Sequence, residues 1–332
     1  MTAPSVSQRR FARFSVGVLA WNLVVILWGA FVRATGSGAG CGDHWPRCDG
    51  EVIPRLASTE QVIEFTHRAT SGLALLAVLA MLVWAFRAFP KRHPVRLGAV
   101  LSTLLILSEA LIGAGLVLLE YVAMDQRVGR VYWMAAHLVN TFLLLAALTL
   151  TAWWAFGGRR IRVRGQGAAG AVLGIAVAAT LAVGITGAVT ALGDTLFPKT
   201  EVSLAVSSTA HFLERLRVVH PLLAIATGIY VALAGVVVRR LRPGAAADRL
   251  SRALVALFFV QLAAGAVNVV LLAPVWMQIV HLLLADAVWM ALVLTAAAAL
   301  ADESPAEAAP PLVGSSQDRD PSLAAAGNHT AA

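Results

Sequence analysis

The sequence predicts an all-α integral membrane protein with eight transmembrane helices, arranged as two repeat-related four-helix bundles. Three observations support this fold class. The 332 residues are 59% hydrophobic and 13% charged, whereas a soluble protein carries roughly 25% charged residues. Eight apolar segments approach or exceed the roughly 20 residues that cross a bilayer. Finally, motifs of the first half return in the second half.

The first apolar segment is not followed by a small-residue cleavage site, so we interpret it as a retained span rather than a signal peptide. The eight predicted spans lie near residues 14–32, 60–86, 97–119, 131–156, 168–191, 208–238, 252–273 and 276–300. The predicted domains are an N-terminal segment at 1–13, a first bundle at 14–156, a linker at 157–167, a second bundle at 168–300 and a disordered tail at 301–332.

Basic residues are concentrated on one side of the spans, because 16 of the 26 fall before span one or in alternate connections. They are Arg9, Arg10, Arg13, Arg87, Lys91, Arg92, Arg96, Arg159, Arg160, Arg162, Arg164, Arg239, Arg240, Arg242, Arg249 and Arg252. The positive-inside rule places these connections in the cytoplasm. We therefore expect a multi-pass cell-membrane protein with both termini cytoplasmic. The net charge of +8 reflects topology, which argues against a nucleic-acid partner.

The internal repeat is visible at two levels. Gly42-Asp43 follows span one, and Gly193-Asp194 follows span five, 151 residues later. In span three Glu109 precedes Gly113 by four residues, and in span seven Gln261 precedes Gly265 by four residues. Two halves of four spans share one orientation, so the axis that relates them runs along the membrane normal.

Four histidines occupy equivalent depths in the two halves: His67, His137, His220 and His281. Each lies about 6 to 12 residues inside a span that begins at the outer side, or roughly 9–18 Å deep. A single histidine in a span more often forms a hydrogen bond, but four at symmetric positions favour ligation. Paired imidazoles from facing helices can hold heme iron. We therefore predict two heme-iron centres, with His67 facing His137 and His220 facing His281. His211, which opens span six, is the one rival ligand.

Cys41 and Cys48 are the only cysteines of the chain, and both fall in the first outer loop. Because the compartment outside the membrane is oxidising, we expect them to form a disulfide. A structural staple is the default interpretation.

Several motifs together resemble the heme A synthase family, and the likeness covers about residues 10–300. They are Val32-Arg33-Ala34-Thr35-Gly36-Ser37-Gly38, Cys41-Gly42-Asp43-His44-Trp45-Pro46-Arg47-Cys48 and Glu64-Phe65-Thr66-His67-Arg68. The resemblance implies an oxidoreductase that converts a methyl group of heme O to the formyl group of heme A by successive hydroxylations and loss of water. It implies that His67 and His137 address the substrate heme O, and that His220 and His281 ligate a resident heme b. Implied partners are heme O synthase, cytochrome c oxidase assembly factors and an unidentified electron acceptor.

The residues beside the histidines add chemistry to this resemblance. Glu64 lies three residues before His67 and therefore shares its helical face. With the family in view it is the candidate catalytic residue, as a proton shuttle or an electrostatic stabiliser; the alternative is a carboxylate that is hydrogen-bonded near the outer interface. Arg217, three residues before His220, is the candidate for binding a heme propionate, and the alternative is an arginine that reaches lipid phosphates.

Two other functions compete with this interpretation. A di-heme cytochrome that takes electrons from quinol would explain four histidines, but it has no need of Glu64 beside one pair only. A transporter would explain the repeat, but the histidines lie too far from the midplane. The resemblance also suggests a redox or heme-handling role for Cys41 and Cys48. Some relatives carry a second cysteine pair, and this chain has none in the equivalent loop.

Overall fold

The computed structural model describes residues 5–55, 58–162, 164–199 and 212–301, and all regular elements there are helical apart from two isolated bridges. Eight spans are long and apolar enough to cross a membrane, with α6 and α7 forming one of them. This confirms the predicted all-α, eight-span fold class. The helices are α1 (Val6–Ala34), α2 (Thr59–Ala88), α3 (Pro94–Leu118), α4 (Val128–Ala155), α5 (Gly167–Leu196), α6 (Phe212–Leu216), α7 (Val219–Leu241), α8 (Ala245–Val270) and α9 (Val275–Ala299).

The helices begin at capping residues, often outside the apolar segments. Helix α1 begins at Val6, within the segment that we predicted to precede the first span. Ser5 and Gln8 form a capping box there: the Gln8 N–H donates to Ser5 Oγ at 3.2 Å, and the Ser5 N–H donates to Gln8 Oε1 at 2.9 Å. These bonds satisfy backbone donors that a helix start leaves unpaired. Likewise, Ser58 Oγ accepts the Gln61 N–H at 3.1 Å where α2 begins.

Helix packing follows chain order within each half. In the N-terminal half (α1–α4), contacts join α1 to α2, α2 to α3, α3 to α4 and α1 to α4. In the C-terminal half (α5–α9), contacts join α5 to α7, α7 to α8, α8 to α9 and α5 to α9. The halves meet through α1 and α4 on one side and α5 and α9 on the other. Two four-helix bundles would produce these contacts, but their relation by a repeat remains a prediction, as do the domain boundaries.

Two groups of side-chain contacts join the N-terminal and C-terminal halves. Trp289 of α9 is 2% exposed, stacks on Phe142 of α4 with ring centroids 5.0 Å apart, and donates its Nε1–H to the Phe142 carbonyl at 2.6 Å. Near the end of α1, the Arg33 guanidinium donates to the Ala191 carbonyl and Thr195 Oγ1, both at 2.7 Å, and to Gln278 Oε1 at 2.8 Å. These bonds agree with the finding that the chain as far as Ala301 forms one compact unit.

Two details differ from the sequence-based expectations. The sixth span is broken, because α6 ends at Leu216 and α7 begins at Val219, so Arg217 does not share a helical face with His220. Pro221 falls in the first turn of α7, where a proline is tolerated. In addition, Gly193-Asp194 lies inside α5 rather than in a loop, whereas Gly42-Asp43 lies in the disulfide loop. This part of the repeat is therefore not structurally equivalent. His211 and the tail beyond Ala301 lie outside the described residues.

Candidate functional site with two histidine pairs

All four predicted ligands lie at one end of the helices. The helices that carry them, α2, α4, α7 and α9, begin where α1, α3, α5 and α8 end, and we call this the histidine end. His67, His137, His220 and His281 each lie within the first three turns of their helix. The structure thus places the four histidines toward one end of their helices, and their common depth remains a prediction.

The pair in the C-terminal half has the separation that two iron ligands require. The rings of His220 and His281 lie 6.4 Å apart, centroid to centroid, with their planes at 89°. A metal–imidazole bond of about 2 Å, with about 1 Å more to the ring centre, would put two axial ligands about 6 Å apart. The observed separation fits this value, so His220 and His281 could hold a heme iron between them.

The pair in the N-terminal half lies toward the histidine end of two helices that share the same neighbours. His67 lies on α2 and His137 on α4, and both helices contact α1 and α3. His67 Nδ1 is buried and has no hydrogen-bond partner among the described residues. Because a buried nitrogen without a partner is costly, this ring is suited to a ligand that the protein does not supply.

Glycines on neighbouring helices make room for three of the imidazoles. A Cβ atom on Gly29 of α1 would lie 2.9 Å from His67 Cε1, and one on Gly187 of α5 would lie 3.0 Å from His220 Cε1. A Cβ atom on Gly265 of α8 would lie 3.0 Å from His281 Cε1. Only glycine permits such a close approach. Gly113 has open space instead, so His137 lacks an equivalent neighbour.

Polar side chains contact three of the four imidazoles. Thr186 Oγ1 lies 3.2 Å from His220 Nδ1, and Gln261 Nε2 lies 3.3 Å from His281 Nε2. Glu109 Oε1 lies 3.4 Å from His137 Nδ1. Glu109 and Gln261, which both precede a glycine by four residues, therefore each contact one histidine. Only in the N-terminal half is the contacting group a carboxylate.

Glu64 connects the histidine helix to the disulfide loop. Cys41 and Cys48 are bonded, with their Cα atoms 4.4 Å apart. Glu64 is 3% exposed; its Oε2 accepts the Cys41 N–H at 2.8 Å, and its Oε1 pairs with Arg68 Nη2 at 2.5 Å. Arg68 Nη1 donates in turn to the carbonyls of His44 and Arg47, both at 2.5 Å. The carboxylate thus holds the loop against α2, one turn from His67.

Arg217 is paired within the protein. It is 8% exposed, and its Nε lies 2.9 Å from Asp194 Oδ1. Its Nη2 donates to the Gly193 carbonyl at 2.7 Å and also to the Phe197 carbonyl. These contacts attach the connection before α7 to the end of α5. The binding of a propionate by Arg217 remains a prediction, and a ligand would have to share a guanidinium that already has protein partners.

Sequence reasoning overlooked several residues of this site. Gly29 and Gly187 were missed, although a signal exists: the dipeptide Gly-Ala occurs at positions 29, 113, 187 and 265, toward the histidine end of each odd-numbered span. The contact of Glu109 with His137 was also missed. Asp286, five residues after His281, carried no distinguishing motif; it is wholly buried, and neither of its carboxyl oxygens has a hydrogen-bond partner among the described residues.

Comparison with known proteins identifies a family and relatives that match parts of the chain. The chain matches COX15-CtaA, the cytochrome oxidase assembly protein family, over residues 12–293. It is 38% identical to the heme A synthase of Exiguobacterium sibiricum over 33% of this chain and 37% of that protein. It is 43% identical to the heme A synthase of Shouchella clausii over 31% of this chain and 33% of that protein.

A longer match is found in a protein with a different name. The chain is 56% identical, over 88% of its length, to a protoheme IX farnesyltransferase of Thermus thermophilus. It spans only 48% of that protein, about half its length. Since the family match extends over both histidine pairs and all eight spans, this chain belongs to the cytochrome oxidase assembly protein family COX15-CtaA.

Proposed function

We propose that this protein oxidises a methyl group of heme O to the formyl group of heme A, in support of cytochrome c oxidase assembly. The observation that carries the proposal is the pair His220 and His281, whose rings lie 6.4 Å apart and fit a heme iron. In this proposal a second histidine pair, toward the same end of the helices, holds the substrate heme. The family match and the relatives named heme A synthase support the same reaction.

The two pairs have different roles in this proposal. His220 and His281 hold a resident heme b, which supplies one-electron redox chemistry when bound. His67 and His137 hold the substrate heme O. The disulfide loop and the Glu64–Arg68 pair cover α2 at the histidine end, and the C-terminal half has no cysteine. This asymmetry supports a reactive N-terminal half and a cofactor-binding C-terminal half.

Glu64 is the proposed catalytic residue, and its contacts define what must be tested. Its carboxylate is a negative charge one helical turn from His67, where it could stabilise positive charge or accept a proton. The same carboxylate anchors Cys41 through the backbone and pairs with Arg68. A variant that loses activity could therefore have lost either the charge or the position of the loop.

Glu64→Gln and Glu64→Ala separate these two roles when they are compared with Glu60→Gln, an exposed carboxylate one turn earlier on α2. Glutamine keeps an oxygen that can accept the Cys41 N–H but removes the charge. We expect both Glu64 variants to retain heme b and to accumulate heme O or a partly oxidised product, while Glu60→Gln makes heme A normally. If Glu64→Gln makes heme A at the normal rate, the carboxylate is an anchor and is not catalytic.

The cofactor assignment has its own test. We expect His281→Ala to lose the low-spin b-type spectrum, because one of two axial ligands is gone, whereas His44→Ala in the exposed loop should keep it. A normal spectrum and full heme content in His281→Ala would contradict the assignment.

Product analysis separates the proposed reaction from two others. The first alternative is farnesyl transfer, the activity in the name of a relative of which this chain spans about half. The second is electron transfer from quinol by a di-heme cytochrome, which the four histidines also allow. Extracted heme should contain heme A when the host supplies heme O. Heme O made from protoheme would indicate a transferase, and unchanged heme with rapid reduction by quinol would indicate a cytochrome.

The proposal also includes a location and partners. The protein lies in the cell membrane with both termini in the cytoplasm, because its basic connections lie on one side. Heme O synthase supplies the substrate, cytochrome c oxidase assembly factors receive the product, and a separate acceptor takes the electrons.

A further inference from the structure

Glu109 is a carboxylate on α3 that α4 holds in place. Asn140 Nδ2 donates to Glu109 Oε2 at 2.5 Å, and the Thr141 hydroxyl is hydrogen-bonded to Oε1. Asn140 is itself fixed, because it donates to the Leu105 carbonyl at 2.9 Å and accepts from Ser108 Oγ at 2.6 Å. Two helices therefore determine where this carboxylate lies.

The carboxylate faces the proposed ligand His137. Glu109 Oε1 lies 3.4 Å from His137 Nδ1, a buried nitrogen that has no hydrogen-bond partner among the described residues. The two anchoring residues follow His137 by one turn on α4. An imidazole that binds iron through Nε2 carries a proton on Nδ1. A carboxylate that accepts this proton in a hydrogen bond fixes the ring orientation and increases its electron donation to the metal.

The other three histidines have no such partner. His220 Nδ1 meets the Thr186 hydroxyl, and the amide of Gln261 meets His281 at Nε2 instead of Nδ1. The Nδ1 atoms of His67 and His281 have no hydrogen-bond partner in the described ranges. Gln261 occupies in the C-terminal half the place that Glu109 has in the N-terminal half, four residues before a glycine. The halves thus differ by a carboxylate against an amide at corresponding positions.

We propose that Glu109 is a positioning residue for His137. The carboxylate strengthens the binding of ferric heme by the N-terminal pair, and it lowers the reduction potential of that heme relative to the heme of the C-terminal pair. This inference rests on the proposed function, because it requires that His67 and His137 bind a heme. It goes further by naming the group that makes the two centres electronically different.

Substitutions of Glu109 test the proposal. Full-length protein in lipid nanodiscs would be titrated with protoheme, with His281→Ala isolating the N-terminal centre. Glu109→Gln should weaken ferric protoheme binding at this centre about ten- to hundredfold. Each tenfold loss that ferrous protoheme does not share raises the reduction potential by about 59 mV. Glu109→Asp, which withdraws the carboxylate from His137 by one methylene, should have the same effect to a smaller extent, and Glu120→Gln in the exposed loop after α3 should have none.

The outcomes separate this inference from the proposed function. If the parent protein binds no protoheme at the N-terminal centre, the proposed function fails. If protoheme binds but Glu109→Gln leaves its affinity and potential unchanged, Glu109 is structural and the inference alone fails. If Glu109→Gln does not fold, Glu109→Asp still decides, because an unchanged potential after the carboxylate is withdrawn overturns its proposed effect.

Discussion

Replacing Gly187 by alanine should damage the C-terminal centre selectively. The added Cβ would lie 3.0 Å from His220 Cε1 and 3.4 Å from its Nδ1. Carbon atoms prefer a separation of about 3.5–4.0 Å, so the imidazole would have to move by a few tenths of an ångström. Inserting one methyl group into a packed site costs about 1–3 kcal/mol. If that cost falls on the heme-bound state, heme affinity falls about 5- to 150-fold.

Absorption spectroscopy and heme extraction would measure this effect. Gly174→Ala is the matched control, because Gly174 lies on the same helix and a Cβ there meets no atom within 4 Å. The N-terminal half offers a second comparison: Gly29→Ala would place a Cβ 2.9 Å from His67 Cε1, while Gly17→Ala on the same helix meets nothing within 4 Å. We expect Gly187→Ala to lose resident heme and Gly29→Ala to keep it while losing substrate binding.

Equal heme content in Gly187→Ala and Gly174→Ala would refute the reasoning. It would mean that His220 occupies a different position in the working protein, or that it does not bind iron. Loss of heme in both variants would instead show that α5 tolerates no added volume, and the selective effect that we assign to Gly187 would be wrong.

Two further predictions concern topology and the disulfide loop. Reporter fusions after residues 92, 162 and 242 should report the cytoplasm and one near residue 45 the outside, because the basic connections lie on one side; an inverted pattern would refute the orientation. Replacing Cys41 and Cys48 together by serine should lower the free energy of unfolding by about 2–3 kcal/mol, since the closed loop is short, and a reducing agent should destabilise the parent protein but leave the double variant unchanged.

The sequence was sufficient to predict the number of spans, but it did not predict where the helices begin and end. Apolar length and composition predicted eight spans because a bilayer demands about 20 apolar residues. The start of α1 at Val6 depends on a capping box, and the break before α7 separates Arg217 from His220. Neither changes the hydropathy, so a search for apolar segments cannot detect them.

The same division applies to the candidate site. The four histidines could be found because ionisable residues at symmetric depths stand out in apolar segments. Their neighbours Gly29, Gly187 and Glu109 depend on how each helix is rotated toward the next. Hydrophobic periodicity reports that rotation poorly in a membrane, since both lipid and core are apolar. The Gly-Ala dipeptides carried some of this information, because they recur toward the histidine end of all four odd-numbered spans.

The contacts of Arg33 limit how the protein can open. This guanidinium, on α1, bonds to Ala191 and Thr195 of α5 and to Gln278 of α9. Hydrogen bonds to a charged group contribute about 1.5–3 kcal/mol each, so swinging the halves apart at the histidine end would have a high energy barrier. Movements of α2 and α3 against α1 and α4 leave these bonds intact. If His67 and His137 bind a heme as proposed, we therefore expect it to enter and leave through the lipid-facing side of the N-terminal half, and not through the seam between the halves.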